Sequence, residues 1–260
     1  MITFLSLISG SSGNATFVSD GKTNILIDCG MSGARLKEAL KNIDVEISDL
    51  NAVLITHEHS DHIKGLGVLA RKYHIPVFAT FKTFTGMKNI GEFDDSLKNS
   101  IKDELEIGDI GIRAFSIPHD AADPVGYNFF IDNTKLSLAT DIGKMNDDVF
   151  ESIRGSKYVI LESNHDVDIL RLGSYPFSLK KRILSPYGHL SNDDAAKTAL
   201  HLAKTGTEHF MLAHLSRENN LPEIAQVTTA NIFNANDIRL NRDVTLTVAS
   251  RNEPTMFGAM

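Results

Sequence analysis

Thr56-His57-Glu58-His59-Ser60-Asp61-His62 packs three imidazoles and two carboxylates into seven residues, directly after the apolar run Ala52-Val53-Leu54-Ile55. A buried strand that ends in such a turn delivers metal ligands. Side chains two apart in extended chain point the same way, so His57 and His59 can grip one ion. Asp61 and His62 follow the bend and can reach a second. Imidazole and carboxylate suit zinc and similar ions. The bland alternative, a polar loop without a ligand, leaves this density of His and Asp unexplained.

Working outward, ligands that complete such a site belong at strand ends, where a rigid sheet holds the loops. Three positions fit. His119 follows Ile112 to Ile117 and Pro118; Asp141 follows Leu136 to Ala139 and Thr140; His214 follows Phe210 to Ala213. Singly, each would read as a hydrogen-bonded surface His or a turn Asp. Beside the first cluster, they become the missing ligands. The expected division places His57, His59 and His119 on one ion and Asp61, His62 and His214 on the other, with Asp141 bridging. Two metals about 3.5–4 Å apart can share a hydroxide of lowered pKa and clamp the anionic oxygens of a substrate. Asp141 and Asp61 would hold that hydroxide in line.

The rest of the chain frames this site. It has 260 residues, 42% of them hydrophobic and 23% charged, enough for a sizeable core. The single cysteine, Cys29, excludes an internal disulfide. Met1 to Ile8 lacks the basic start and cleavage site of a signal peptide and reads as a first strand. No apolar run reaches membrane-spanning length, so a cytoplasmic protein is expected. The net charge of −7 argues against nucleic-acid binding through bulk charge, although two ions would offset part of it locally.

No linker or repeat divides the chain, and 1–260 reads as a single domain. Strands are expected at Ile2 to Leu7, Ala15 to Val18, Asn24 to Ile27, Pro76 to Ala79, Gly111 to Ile117, Val125 to Ile131, Lys135 to Ala139, Lys157 to Leu161 and Phe210 to Ala213. Val244 to Ala249 reads as the last. Helices are expected over Ser32 to Leu40, Gly65 to Tyr73, Asp147 to Arg154 and Leu221 to Ile232. Another starts at Ser191 with a capping box and an alanine-rich stripe. Lys180-Lys181-Arg182 reads as a solvated turn. The pattern, strands first and then alternating elements, suits an α/β fold of two sheets with helices packed outside.

His57-x-His59-x-Asp61-His62, with His119, Asp141 and His214 downstream, resembles the metallo-β-lactamase superfamily over nearly the whole chain. The resemblance implies a four-layer αβ/βα sandwich, two mixed β-sheets flanked by helices, with a di-metal site at one edge. Asp28 matches the superfamily's early Asp, which supports the metal loop. Histidine at position 59, where flavodiiron oxygen reductases carry Glu, is similar to the hydrolase branch. Gly188-His189-Leu190-Ser191, followed by Leu212-Ala213-His214-Leu215-Ser216, resembles the tail of the RNase Z branch. That likeness implies that His189 stands near the scissile phosphate and that Glu162 pairs with it. A protonated His189 could stabilise the phosphorane or protonate the leaving oxygen, with Glu162 raising its pKa.

Gly10 to Ala15, Pro118-His119-Asp120-Ala121, Glu162 to Asp166 and His214 to Asn220 together resemble the YycJ/WalJ group of bacterial proteins. This implies a metal-dependent 5′-to-3′ exonuclease on DNA, linked to DNA repair. Zn²⁺ or Mn²⁺ is expected, with Fe as a third candidate. The long cap of the β-CASP nucleases is absent, since 47 residues separate Asp141 from His189. The surface that holds DNA must then be small or come from a second subunit, as in a homo-oligomer. Asn14 and Asn164 are candidates to bind a phosphate near the metals. Tyr175 to Arg182, with Lys180 and Arg182, could stack on a base and hold phosphates. His165 reads as a substrate contact or a core hydrogen bond; His74, His201 and His209 read as structural.

Two other functions compete. One is a small-molecule hydrolase of the same fold, acting on a cyclic phosphodiester, lactone or thioester. The other is a non-catalytic binding protein, against which the intact ligand set stands. A β-lactamase is disfavoured by the missing export signal.

Overall fold

The computed structural model describes residues 2–102 and 104–257; Met1, where the apolar N-terminal run begins, and residues 258–260 of the expected single domain lie outside them. The first half runs β1 (Thr3–Ile8), β2 (Ala15–Ser19), β3 (Asn24–Ile27), α1 (Gly33–Lys41), β4 (Ala52–Leu54), α2 (Ser60–Ile63), α3 (Leu66–Tyr73), β5 (Val77–Ala79), α4 (Phe81–Gly86) and β6 (Lys98–Ser100). The second runs β7 (Glu104–Ile107), β8 (Ile110–Ser116), β9 (Val125–Ile131), β10 (Thr134–Ala139), α5 (Asp147–Ile153), β11 (Tyr158–Glu162), α6 (Val167–Leu172), α7 (Phe177–Ile183), α8 (Asn192–Lys204), β12 (His209–Ala213), α9 (Pro222–Asn234), β13 (Thr245–Val248) and β14 (Thr255–Met256).

Two seven-stranded sheets form, in the orders β14-β1-β2-β3-β4-β5-β6 and β13-β12-β11-β10-β9-β8-β7. Each is mixed. β1, β2 and β3 pair antiparallel, and β3 to β6 continue parallel. β7 to β10 pair antiparallel, and β10 to β13 continue parallel. Phe4, Ile25, Ile27 and Leu54 of one sheet pack against Ile112, Phe129, Leu138, Ile160 and Met211 of the other. The opposite faces take the helices: Leu36 and Leu66 cover Phe17, Leu26 and Val53, while Val149, Ala195 and Phe233 cover Val159, Leu161 and Phe210. The expected four layers are present. Both faces of the central strands are buried, which is why those strands read as continuous apolar runs instead of alternating ones.

Several local readings are corrected. Val244 to Ala249 is not the last strand, because β14 follows and pairs with β1 at Leu5↔Met256 and Ser6↔Thr255. Lys180-Lys181-Arg182 is not a turn; it lies in α7. β6 and β7 carry exposed polar residues at sheet edges and have no sequence pattern to announce them. At α8, Ser191 Oγ accepts from Asp194 N–H at 3.2 Å as expected, but Asp194 returns the contact to the Ser191 hydroxyl, at 2.9 Å, and not to its backbone. Among the described residues no helix is long and apolar enough to cross a membrane.

Candidate metal centre and active site

Parallel strands discharge at one edge, and that edge is where the polar residues gather, as open α/β sheets bring their loops together. Asp28 follows β3, His57 follows β4, Asp141 follows β10, Glu162 ends β11 and His214 follows β12. Three of these turn the chain in the left-handed region: Asp28 at φ 60°, Asp141 at φ 61° and His214 at φ 55°. Non-glycine residues hold that conformation only where the surroundings impose it. At His214 two contacts do so. Its N–H donates to Ser9 Oγ at 2.7 Å, and its carbonyl accepts from Asn164 Nδ2 at 2.8 Å.

The imidazoles are oriented by what their outer nitrogens touch. Asp28 accepts from His62 Nδ1 at 2.7 Å and from the Thr56 backbone and hydroxyl, both at 2.9 Å. His119 Nδ1 donates to the Gly188 carbonyl at 3.0 Å. His57 Nδ1 lies 3.0 Å from Thr56 Oγ1. The inner nitrogens then converge. His57 Nε2 is 3.0 Å, and His119 Nε2 is 3.3 Å, from His59 Nδ1. Asp61 Oδ2 lies 3.6 Å from both His62 Nε2 and His214 Nε2. Asp141 spans the two sets, 3.4 Å from His62 Nε2 through one oxygen and 3.8 Å from His119 Nε2 through the other. All seven sequence-selected ligand residues therefore meet.

The metal loop is held in place by Asn14 and Gly30. Asn14 N–H donates to the Asp61 carbonyl at 2.8 Å, and the Asn14 amide stands 3.0 Å from His62 Nε2. Gly30 presses so closely on Asp61 that a Cβ would lie 1.7 Å from its carbonyl oxygen, so only glycine fits.

Does this donor set suit divalent cations? Asp141 Oδ2 and His214 Nε2 are buried without a hydrogen-bond partner among the described residues. Buried polar atoms are normally satisfied, and both face other ligand atoms. His57 is held well below its ordinary pKa by burial and by the neighbouring imidazoles, which keeps a lone pair available. Burial would raise Asp61 and Asp141, but the adjacent histidines hold both below their ordinary values. A neutral His57 beside the ionised carboxylates of Asp61 and Asp141 fits a metal centre.

His62 differs. Burial pulls its pKa down, but Asp28, Asp141 and Asp61 raise it from 6.5 to about 9. His214 is also raised, by Asp141, Asp61 and Glu162 against burial. A raised histidine stabilises the metal-free fold fully below the unfolded pKa and loses that contribution as pH climbs through the folded value. For His62 the loss is on the order of 3 kcal/mol. The chelator-treated protein should therefore melt several degrees lower at pH 9 than at pH 7, whereas a cation, which displaces the proton, should flatten the trend. Differential scanning fluorimetry with and without chelator checks this; an apo melting temperature that rises over the interval contradicts it.

His189 stands beside this centre, its side chain 14% exposed. Its Nδ1 is 2.9 Å from Glu162 Oε1, and the same oxygen lies 2.8 Å from His214 Nδ1. Glu162 Oε2 accepts from the backbone of Ile142 at 2.7 Å and of Leu190 at 3.0 Å. Fully buried, Glu162 would rise in pKa, yet His189 and His214 hold it well below the carboxylate range. The Glu162–His189 contact is the one the RNase Z resemblance implies; the sharing of one oxygen with His214 is seen only in the structure.

A cleft of about 230 Å³ opens over these groups, lined by His59, Asp61, Asp141, His189 and His214 and walled by Asn164, Tyr175, Leu179, Arg182 and Ile183. Arg182 faces the cleft and forks onto Asp120, at 2.5 and 2.9 Å. Lys180 does not line it; its ammonium is held by the carbonyls of Arg171 and Gly173, each at 2.7 Å. Asn14 does not line the cleft; its amide stands against the ligand atoms themselves, 3.0 Å from His62 Nε2 and 3.3 Å from Asp61 Oδ2. His165 is buried, and neither ring nitrogen has a hydrogen-bond partner among the described residues, so of its two readings the core hydrogen bond is not found. His74 ends α3 in a left-handed turn, His201 meets Phe150 edge-on and His209 stacks on Tyr158. Sequence reasoning passed over Asp120 and Glu58. Glu58 anchors the loop after His119 through the Ala122 N–H at 2.8 Å, and its place inside the metal motif was the available signal.

The family model described as "Beta-lactamase superfamily domain" matches residues 23–252. A curated relative from Bacillus anthracis, "Exodeoxyribonuclease YycJ", is 44% identical over 233 residues, covering 88% of each chain. "Exodeoxyribonuclease WalJ" of Streptococcus pneumoniae is 41% identical over 242 residues, covering 91% of this chain and 90% of its own. Among solved structures, unliganded yeast PDE1 superposes with a TM-score of 0.70 at 13% identity, over 98% of this chain and all of that one, a likeness of fold.

Proposed function

Since the chain belongs to the beta-lactamase superfamily, and within it to the YycJ/WalJ group, we propose that residues 1–260 act as one metal-dependent phosphodiesterase domain, a 5′-to-3′ DNA exonuclease in cytoplasmic DNA repair. The observation that carries the reading is the convergence of seven metal-type ligands with the Glu162–His189 pair at one cleft, which His59, Asp61, Asp141, His214 and His189 line. Polarity and the link to repair rest on the group resemblance.

Zn²⁺ or Mn²⁺, with Fe as a third candidate, would be held by His57, His59 and His119 and by Asp61, His62 and His214, with Asp141 reaching both sets. Such ions supply Lewis acidity toward phosphate oxygens and lower the pKa of water. The chain's own residues do the rest. Asp61, kept ionised, accepts a hydrogen bond from the attacking water. His189, with Nδ1 committed to Glu162, offers Nε2 to the scissile phosphate as donor or general acid to the leaving oxygen. Arg182 and Asn164 supply polar contacts at the cleft wall.

The test is degradation of duplex DNA labelled at one 5′ end, with Mn²⁺ or Zn²⁺. Short labelled products that accumulate from the first minutes are expected. Metal-loaded protein that leaves every DNA and RNA intact overturns the reading. The small cleft and the net charge of −7 favour one alternative, a hydrolase of small phosphodiesters, lactones or thioesters. Turnover of bis-p-nitrophenyl phosphate against a lactone and a thioester separates the two.

A further inference from the structure

The loop after β8 and the segment after α7 are joined by two hydrogen bonds. His119 Nδ1 donates to the Gly188 carbonyl at 3.0 Å, and Asp120 N–H donates to the Tyr187 carbonyl at 3.1 Å. The Asp120 carboxylate adds a third tie, its fork with Arg182, at 2.5 Å to Nε and 2.9 Å to Nη2. Arg182 lines the cleft and Asp120 does not. The carboxylate therefore acts from outside the cleft on a guanidinium at its wall.

The fork leaves donors over. A guanidinium carries five N–H groups; Asp120 engages Nε and one edge of Nη2, so Nη1 remains free to meet a ligand, on a side chain that is 45% exposed. Asp120 raises the Arg182 pKa against burial, and Asp141 and Asp61 add to the rise, which puts the guanidinium in the field of two of the metal-type ligands. Unheld, that group would be badly placed. Bound divalent cations would repel it, and the bare carboxylates would draw it onto themselves. Asp120 counters both, because the oxygen that meets Nη2 also stands 3.4 Å from His119 Nε2. A two-pronged pair with a carboxylate fixes the orientation of arginine as well as its charge. Resting on the phosphodiesterase reading, and adding to it a residue that acts through another, we propose that Asp120 positions Arg182 so that the free edge of its guanidinium takes a non-bridging oxygen of the phosphate in the cleft. Asp120 itself touches neither substrate nor ion.

The experiment compares metal-loaded full-length wild type with Asp120→Asn, Arg182→Ala and the double variant, by steady-state kinetics on duplex DNA and on bis-p-nitrophenyl phosphate, with metal content measured in parallel. The phosphate is anionic before the reaction as well as during it, so each single change should raise KM about 10-fold and leave kcat within about threefold. A kcat near that of wild type also reports that the variants fold. The double variant should match Arg182→Ala alone, because a positioning residue then has nothing left to position. Effects that multiply in the double variant, or an unaltered KM in either single variant, would overturn the proposal. So would a loss of metal from Asp120→Asn, which would make Asp120 a ligand. Should that variant not fold, Arg182→Ala alone still decides, since an unaltered KM there removes the group that Asp120 is said to position. Wild type that hydrolyses the small ester but no DNA overturns the nuclease reading instead, and the ester kinetics still test Asp120.

Discussion

Replacing His189 with alanine should lower DNA turnover about 10²- to 10⁴-fold, the range for loss of a positioned proton donor, with metal content unchanged. The geometry explains both halves. His189 and His214 both line the cleft and commit Nδ1 to Glu162, at 2.9 and 2.8 Å, but His214 turns Nε2 to Asp61 in the ligand set, so the remaining nitrogen of His189 is the one that substrate meets. His189 is not needed to complete the His57–His59–His119 or the Asp61–His62–His214 set, though its ring also converges with Asp141, Glu162 and His214. Single-turnover kinetics beside metal analysis by plasma mass spectrometry decides the matter. A parallel fall of metal and rate would make His189 a ligand; an unchanged rate would remove it from the chemistry.

Glu162→Gln should impair two functions at once. One buried oxygen serves His189 and His214, and the other serves two backbone N–H groups. All four partners donate to the carboxylate. An amide has two acceptor sites on one oxygen only, so its NH₂ must face a donor. Loss of the partner that orients a ligating histidine typically costs 10- to 100-fold in metal affinity, and here the general acid is disoriented by the same change. Chelator-competition titration should show the weaker metal binding, and turnover should fall about 10²-fold or more even at saturating metal. Glu162→Ala, which leaves a buried hole among uncompensated donors, should add a stability loss of roughly 3–5 kcal/mol. A glutamine variant with wild-type affinity and rate would show that the shared carboxylate is dispensable.

The seven-residue motif from Thr56 to His62 was readable because its spacing is local: a strand end, a bend and one short helical turn suffice to aim four side chains. His119, Asp141 and His214 were readable because each directly follows an apolar run. The failures have physical reasons too. α7 is seven residues long, too short to hold by its own propensity, so only its packing over the cleft makes it a helix. β14, two residues long, exists through its pairing with β1. Lys180 and Arg182 were indistinguishable as cations in sequence. Helical phase sends one onto backbone carbonyls and the other to Asp120 and the cleft.

By itself, then, the sequence determined the chemistry of the ligands and the rigid strand ends that carry them, since both follow from residue type and short-range periodicity. Tertiary structure alone decided which nitrogen of each ring faces inward, that Asp141 reaches both sets and that Glu162 serves two histidines. Those outcomes depend on the register of β10, β11 and β12, which sets Asp141, Glu162 and His214 side by side, and on the packing of the two sheets, which brings His62 of the other sheet's loop against Asp141. Register between distant strands is a property of the packed sheets, because each pairing is fixed by burial on both faces at once.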